Sequence, residues 1–319
     1  MKGSTIERRM GRISRVDVIA RAVEGHHLSG TSLYGVNLSE LDLSGMEFKG
    51  TNLFRVNMRG VNASGADFMD ANFSRANISK GNFRRANLER VNLFAANASE
   101  TDFQEALLSG AKMGRGNFVR AIFVRADMRR AELERADLSE SDLTRAVLNA
   151  ATLSRARLTA CILDGANLES AFLGEADMAG CNLSGANLTA ADLKRTDLSM
   201  CSASSSCLTR ANLVNANLQG AVINEADLRQ VSAARANLKS AILIGSDIRN
   251  SDFTGANLRQ AELAFAQLDG CNFAGASLQG ANLSEATNWE KADWRGAVFD
   301  ARTTLPPTFK SVIEGFVCV

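Results

Sequence analysis

Between His26 and Glu285 every fifth residue belongs to one apolar column, and the spacing never slips. The column runs Leu28, Leu33, Leu38, Leu43 and on to Leu278 and Leu283. Its 52 consecutive slots hold 32 Leu, 9 Phe, 4 Met, 3 Ile and 4 Ala. A helix returns a side chain to the same face every 3.6 residues and a strand every second residue, so neither produces a period of five. A chain with this pattern has to turn after each short segment and stack the segments on one another, as a solenoid does.

With the column residue written as i, the other positions are almost as restricted. Position i−2 is Ala in 30 of the pentads and Cys, Ser, Thr, Gly or Val in most others, so small and large side chains alternate inward. Position i−1 is usually Asn or Asp, as at Asn37, Asp42, Asn52 and Asn57, residues whose short polar side chains bond nearby backbone and suit turns. Positions i+1 and i+2 are Ser, Gly, Arg, Glu or Lys and read as the solvent side. Aromatic and thiol side chains recur at 20 residues: Phe83, Phe103 and Phe123; Phe48 and Phe68; Phe253 and Phe273; Cys161, Cys181 and Cys201. That recurrence sets the expected coil at four pentads.

Ala86-Asn87-Leu88-Glu89-Arg90 and Ala186-Asn187-Leu188-Thr189-Ala190 are direct copies of the A(D/N)LXX pattern, and the sequence resembles the pentapeptide-repeat family over about four fifths of its length. The resemblance implies an all-β fold, a right-handed quadrilateral parallel β-helix with one pentad per side. The 52 pentads then make about 13 coils, a rod of roughly 60 Å at the ~4.8 Å spacing of neighbouring strands. We expect one elongated domain in three parts. Residues 1–25 form an N-terminal amphipathic capping helix, 26–285 the repeat body, and 286–319 a phase-shifted last coil with a C-terminal cap or tail.

The helix is expected over Ser4–Glu24, with Ile6, Met10, Ile13, Val16 or Asp17, Ala20 and Val23 on its apolar side. Ser4 and Glu7 have capping-box spacing and Gly25 supplies a stop. Its six basic residues raise a membrane or nucleic-acid role, but covering the open end of a solenoid is the better use. At the other end the phase breaks at Ala286. One added residue restores it as Thr287-Asn288-Trp289, Ala292-Asp293-Trp294 and Ala297-Val298-Phe299. The only prolines, Pro306 and Pro307, mark the exit from the repeats, and Phe309, Val312, Ile313 and Phe316 make a tail suited to closing the end or to homodimerisation.

Four column slots hold Ala: Ala63, Ala98, Ala203 and Ala233. Val61 and Val231 compensate for two of them, while Ala96 with Ala98 and Cys201 with Ala203 leave expected voids. The run Cys201–Cys207 is therefore expected to form a dent.

Nothing here points to catalysis. His26 and His27 are adjacent and face opposite ways in an extended segment, and no phosphate loop, Cys-x-x-Cys pair or nucleophile motif occurs. Asp pairs such as Asp137 and Asp142 belong to the turns. No metal site and no cofactor is expected, and the thiols at i−2 read as small core side chains. The chain lacks an 18-residue apolar run and a signal-peptide pattern, so no membrane span is expected and the protein is placed in the cytoplasm.

With 36 basic and 35 acidic residues the total charge selects no partner, although residues 75–160 carry 15 basic and 10 acidic side chains and residues 161–319 carry 12 and 17. The one surface pattern is an Arg column at i+2 on a single side: Arg55, Arg75, Arg115, Arg135, Arg155, Arg195 and Arg235, interrupted by Ala95, Glu175 and Asn215. Stacked like charges repel, and Glu132 and Glu134 are placed to offset Arg135. We therefore expect a non-catalytic scaffold that binds a macromolecular partner, a protein first, through its solenoid faces. Two other readings remain open. One is nucleic-acid binding through the Arg column. The other is suggested by the family, some of whose members imitate DNA, bind DNA gyrase and protect it from quinolones; that role needs a far more negative surface than this one.

Overall fold

The structure, a computed structural model, describes residues 13–24, 27–306, 309 and 317–318. Each i−1 residue of the body forms a parallel bridge with the residue 20 positions on: Ser32 with Asn52, Asn37 with Asn57, Asp42 with Asn62, Glu47 with Asp67. Four such bridges per coil, each followed by a turn, make a four-sided parallel β-helix. Column amides donate to the next coil, as Leu33 N does to Asn52 O at 2.8 Å, and i−1 amides donate back, as Asn52 N does to Thr31 O at 2.9 Å. The corner closes with a bond from the following i−2 amide to the column carbonyl, 3.0 Å from Val56 N to Leu53 O.

The polar residue at i−1 has two duties. Asn37 Oδ1 accepts the amide of Ser39 at 3.1 Å and the side-chain Nδ2 of Asn57, one coil on, at 3.0 Å. Local turn bonding and a ladder between coils thus share one oxygen. Asp137 and Asp142 are absorbed in the same way, accepting the amides of Ser139 at 3.0 Å and Thr144 at 2.9 Å.

Position i+2 is the corner, and throughout the repeat body its φ lies between 53° and 69°. This left-handed conformation is open to Gly and tolerated by unbranched side chains, but is an outlier for β-branched ones. Accordingly, none of the 52 corner residues is Val, Ile, Thr or Pro.

The column and i−2 side chains fill the tube; Leu88 and Leu138 are wholly buried and Leu188 nearly so. The aromatic stacks form as the period requires, with ring centroids 4.8 Å apart for Phe48 and Phe68, 5.0 Å for Phe103 and Phe123, and 5.3 Å for Phe253 and Phe273. The alanine slots differ from expectation. Ala63, Ala98 and Ala233 are each followed 20 residues later by Phe83, Phe118 and Phe253, so volume is compensated along the column rather than by the residue two positions earlier. Gly81 and Gly116 complete the exchange: a Cβ on either would lie 2.8 Å or 2.5 Å from the Cε2 of Phe83 or Phe118. Ala203 has Leu183 and Ile223 as column neighbours and no ring, so the expected dent is confined to that slot.

The N-terminal helix, α1, spans Arg15–Glu24 and does not start at Ser4; residues 1–12 lie outside the described part. Ser14 is its cap: Asp17 N donates to Ser14 Oγ at 3.3 Å, and Asp17 Oδ2 accepts Ser14 N and Oγ, each at 2.7 Å. Val18 is its buried residue, with Ile13 packed beside the core, whereas Val16 and Val23 face solvent. Arg15 Nη1 donates to the first-coil carbonyls of Asn37 at 3.1 Å and Ser39 at 3.0 Å.

At the other end the phase does not break at Ala286. Thr287 still bridges Gln267, 20 residues before it, and the register becomes 21 only at Asn272 with Asp293. The extra residue enters at Asn288, which adopts φ 56° ahead of a 3-10 turn over Trp289–Lys291. Trp294 stacks on Phe273 at 4.5 Å and continues the column. Strand β1, Val298–Phe299, pairs in parallel with β2, Val317–Cys318.

Candidate binding surface

Most arginines on the flat sides are neutralised locally. An Arg at i+1 reaches the Asp at i−1 of its own pentad, as in Arg229 with Asp227, Arg249 with Asp247 and Arg295 with Asp293, each at 2.6 Å. The Arg229 guanidinium holds the Asp227 carboxyl below the usual carboxylate range. A corner Arg points away from that carboxylate and pairs only if an acidic residue stands one coil away, as for Arg90 with Asp70 at 2.8 Å.

This rule sorts the seven residues of the Arg column. Arg155 and Arg195 share Glu175, at 2.8 Å and 3.8 Å, and the hydrogen bond from Arg155 lowers the Glu175 pKa. Glu175 therefore links the column instead of merely interrupting it. Arg55 and Arg115 lie over the rings of Phe54 and Phe94, 5.3 Å and 5.9 Å from the centroids, at cation–π distance. Arg75, Arg135 and Arg235 make no ion pair among the described residues. Glu132 and Glu134, expected to offset Arg135, do not come within ion-pair distance of it.

The side carrying this column holds a feature that residue-type patterns alone did not single out. Tyr34, Phe54 and Phe94 at i+1 and Phe172 at i−1 all belong to the side that ends at the Arg corner, and Tyr34 stacks on Phe54 at 5.7 Å. Of the outward-facing aromatic rings of the repeat body only Phe265 lies elsewhere. Coil phase was the available signal, since these positions differ by 20, 40 and 78 residues and so fall within one pentad of a single side.

Gly114, Ser154 and Gly174 lower the floor between these walls. Two recesses of about 510 Å³ and about 480 Å³ result, the first beside Phe94 and Arg115, the second beside Arg155 and Arg195. Both are lined by Glu134 and Arg135, so they join into one groove along the rod. Its walls alternate Arg and Lys with Glu132, Glu134, Glu175 and Asp192.

A scan of protein families matches the description "Pentapeptide repeats" at residues 24–53, 51–90, 86–123, 126–165, 161–199, 201–232, 211–250, 223–260 and 251–287. The chain belongs to the pentapeptide repeat family. Among solved structures, this pentapeptide repeat protein is similar to HetL, involved in heterocyst differentiation regulation in the cyanobacterium Nostoc sp. strain PCC 7120, at 24% identity over 90% of this chain and 98% of that one, with a TM-score of 0.38. It is also similar to a pentapeptide repeat protein of the cyanobacterium Cyanothece 51142, at 26% identity over 40% of this chain and 90% of that one, with a TM-score of 0.20. A third is QnrB1, a plasmid-mediated fluoroquinolone resistance protein, at 14% identity over 85% and 92%, with a TM-score of 0.21. No curated protein matches the sequence.

Other candidates resolve as structure. Cys161 and Cys181 donate from Sγ to the carbonyls of Leu138 and Leu158, each at 2.8 Å, and all five described cysteines are free. Among the described residues no cluster of His, Cys, Asp and Glu has metal-holding geometry, and no helix is long and apolar enough to cross a membrane. Phe309 is buried in its own chain, 4.3 Å from the Trp289 ring, which assigns it to closing the end rather than to a homodimer contact. Val312, Ile313 and Phe316 lie outside the described residues, as does His26.

Proposed function

We propose that this pentapeptide repeat protein is a non-catalytic cytoplasmic scaffold that docks a protein partner in the groove beside its Arg column. In this reading the body, residues 26–285, is a right-handed rod of about 13 coils. Helix α1 caps the first coil through Val18 and Arg15, and residues 286–319 close the far end.

The observation that carries the reading is the placement of Tyr34, Phe54, Phe94 and Phe172 on the side of Arg55, Arg115, Arg135 and Arg155. Arg and exposed aromatics are the residue types that dominate protein interface energetics. Glu132, Glu134, Glu175 and Asp192 in the same groove favour a partner of mixed charge over a phosphate backbone, so nucleic acid ranks second.

The gyrase-binding, DNA-imitating role fits less well. Residues 161–285 extend roughly 30 Å at ~4.8 Å per coil, where duplex DNA carries about 18 phosphates. The chain offers 13 acids against 8 bases there.

The test is affinity capture from native lysate, read by quantitative mass spectrometry. Wild type is compared with Phe94→Ser/Phe172→Ser and with Arg135→Glu/Arg155→Glu. Loss of the same proteins in both variants is expected; an unchanged set of captured proteins refutes the assignment.

A further inference from the structure

The side opposite the Arg groove, half a coil away, has the contrary character over the C-terminal half of the rod. It comprises the seven pentads 161–165, 181–185, 201–205, 221–225, 241–245, 261–265 and 281–285, with the corners that precede them. All eight Lys and Arg residues between 161 and 285 lie on the other three sides. Its corners are mostly small, at Ala160, Gly180, Gly220, Ser240 and Gly280, so the surface is flat.

Large apolar groups stand out from it. Met200 is 72% exposed, Phe265 60%, Ile162 43% and Ile244 38%. Ile162, Val222 and Ile242 occupy i−1, the position at which Asn or Asp would bond the i+1 amide. Each gives up a hydrogen bond typically worth about 1 kcal/mol and places hydrocarbon outward instead. In this stretch of the chain no other side carries Val or Ile at i−1. A monomer gains nothing from such a patch in water.

The charges select the occupant. Asp164, Glu225, Glu262 and Glu285 lie on this side, and none has an ion-pair partner among the described residues. A second copy meeting it through the same face would oppose carboxylates to carboxylates with no base between them. We propose that this face is a second docking surface, for a protein segment that presents apolar side chains bordered by Lys or Arg. The rod then joins two different partners on opposite sides. Four carboxylates spread over seven pentads do not imitate a phosphate chain, so recognition rests on apolar contact, with charge setting the register.

The proposal is tested without knowledge of the natural partner. A labelled extended peptide of alternating Leu and Lys is titrated with full-length protein by fluorescence anisotropy, with a Leu and Glu peptide as counter-probe. Preference for the Lys peptide by about tenfold or more is expected, as is a loss of about tenfold in Met200→Lys/Ile244→Lys/Phe265→Lys. All three sites are exposed, and circular dichroism checks the fold. A control variant of the Arg side, Val214→Lys/Ala234→Lys, keeps wild-type affinity. Equal binding of both peptides, or equal loss in the control, overturns the proposal. So does a concentration-dependent dimer in sedimentation that the triple variant abolishes, which would make a second copy the occupant. Failure here leaves the Arg-groove capture experiment unaffected, since that one scores residues of the other side.

Discussion

Replacing Gly116 by Ala adds one methyl group where most pentads of this protein already have one, and we expect it to destabilise the rod. A Cβ at that site would lie 2.5 Å from Phe118 Cε2, 2.9 Å from Cζ and 3.0 Å from the Met113 carbonyl oxygen. Reaching an ordinary contact of about 3.4 Å requires the ring to shift by about 0.9 Å. Phe103 and Phe123 hold it, with centroids 6.4 Å and 5.9 Å away, and Phe118 itself fills the column above Ala98. Overpacking of this kind costs about 1–3 kcal/mol, against which Gly→Ala returns about 0.4–1 kcal/mol by restricting the unfolded chain. Phe118→Leu alone removes three carbons from the same space, a loss of about 2 kcal/mol at ~0.8 kcal/mol per buried carbon group. The double variant restores Ala-Asn-Leu, in which the methyl occupies part of the volume vacated by the ring. Its destabilisation should fall short of the sum of the single effects by about 1 kcal/mol or more. Urea titrations of the four proteins, followed by circular dichroism, give the cycle directly. Additivity within about 0.5 kcal/mol would show that ring and glycine are not exchanging volume, and would refute compensation along the column.

Three further outcomes follow from the same geometry. Ala190 sits at a corner with φ 56°, so Ala190→Val should cost about 1–3 kcal/mol in denaturant midpoint while Ala190→Gly costs little; equal effects would contradict the left-handed corner. Ala203→Leu fills the one column slot without a compensating ring and should raise stability by about 1–2 kcal/mol; a lower melting temperature would show that the slot is already full. Burial pushes the Cys201 and Cys271 thiols up to about 12, whereas at half-buried Cys207 hydrogen bonds from the Thr189 and Thr209 hydroxyls outweigh desolvation and lower the pKa. At pH 8 iodoacetamide should therefore modify Cys207 well before Cys201 or Cys271, as peptide mapping would read; a reversed order would contradict the buried thiol ladder.

The five-residue alternation of large and small apolar residues is a local rule, repeated in every unit. That is why the inward column, the turn residue at i−1, the left-handed corner and the 20-residue stack could all be read from the sequence. What happens at Ala98, at Asn288 and along the Arg column involves choices between partners that the period does not rank. Phe118 lies close to Ala98 only because one coil rests on the next. Trp289 displaces Asn288 because a large ring and a short polar group compete for one inward slot.

An arginine can reach an Asp in its own pentad, a Glu one coil away or a neighbouring ring. Which it takes depends on side-chain direction at a flat side or a corner, so Arg229 is spent on Asp227 while Arg135 stays free. The sequence by itself determined the tube. The stacked coils decided which charges remain available on its surface, because neutralisation is a matter of distances between side chains far apart in the chain.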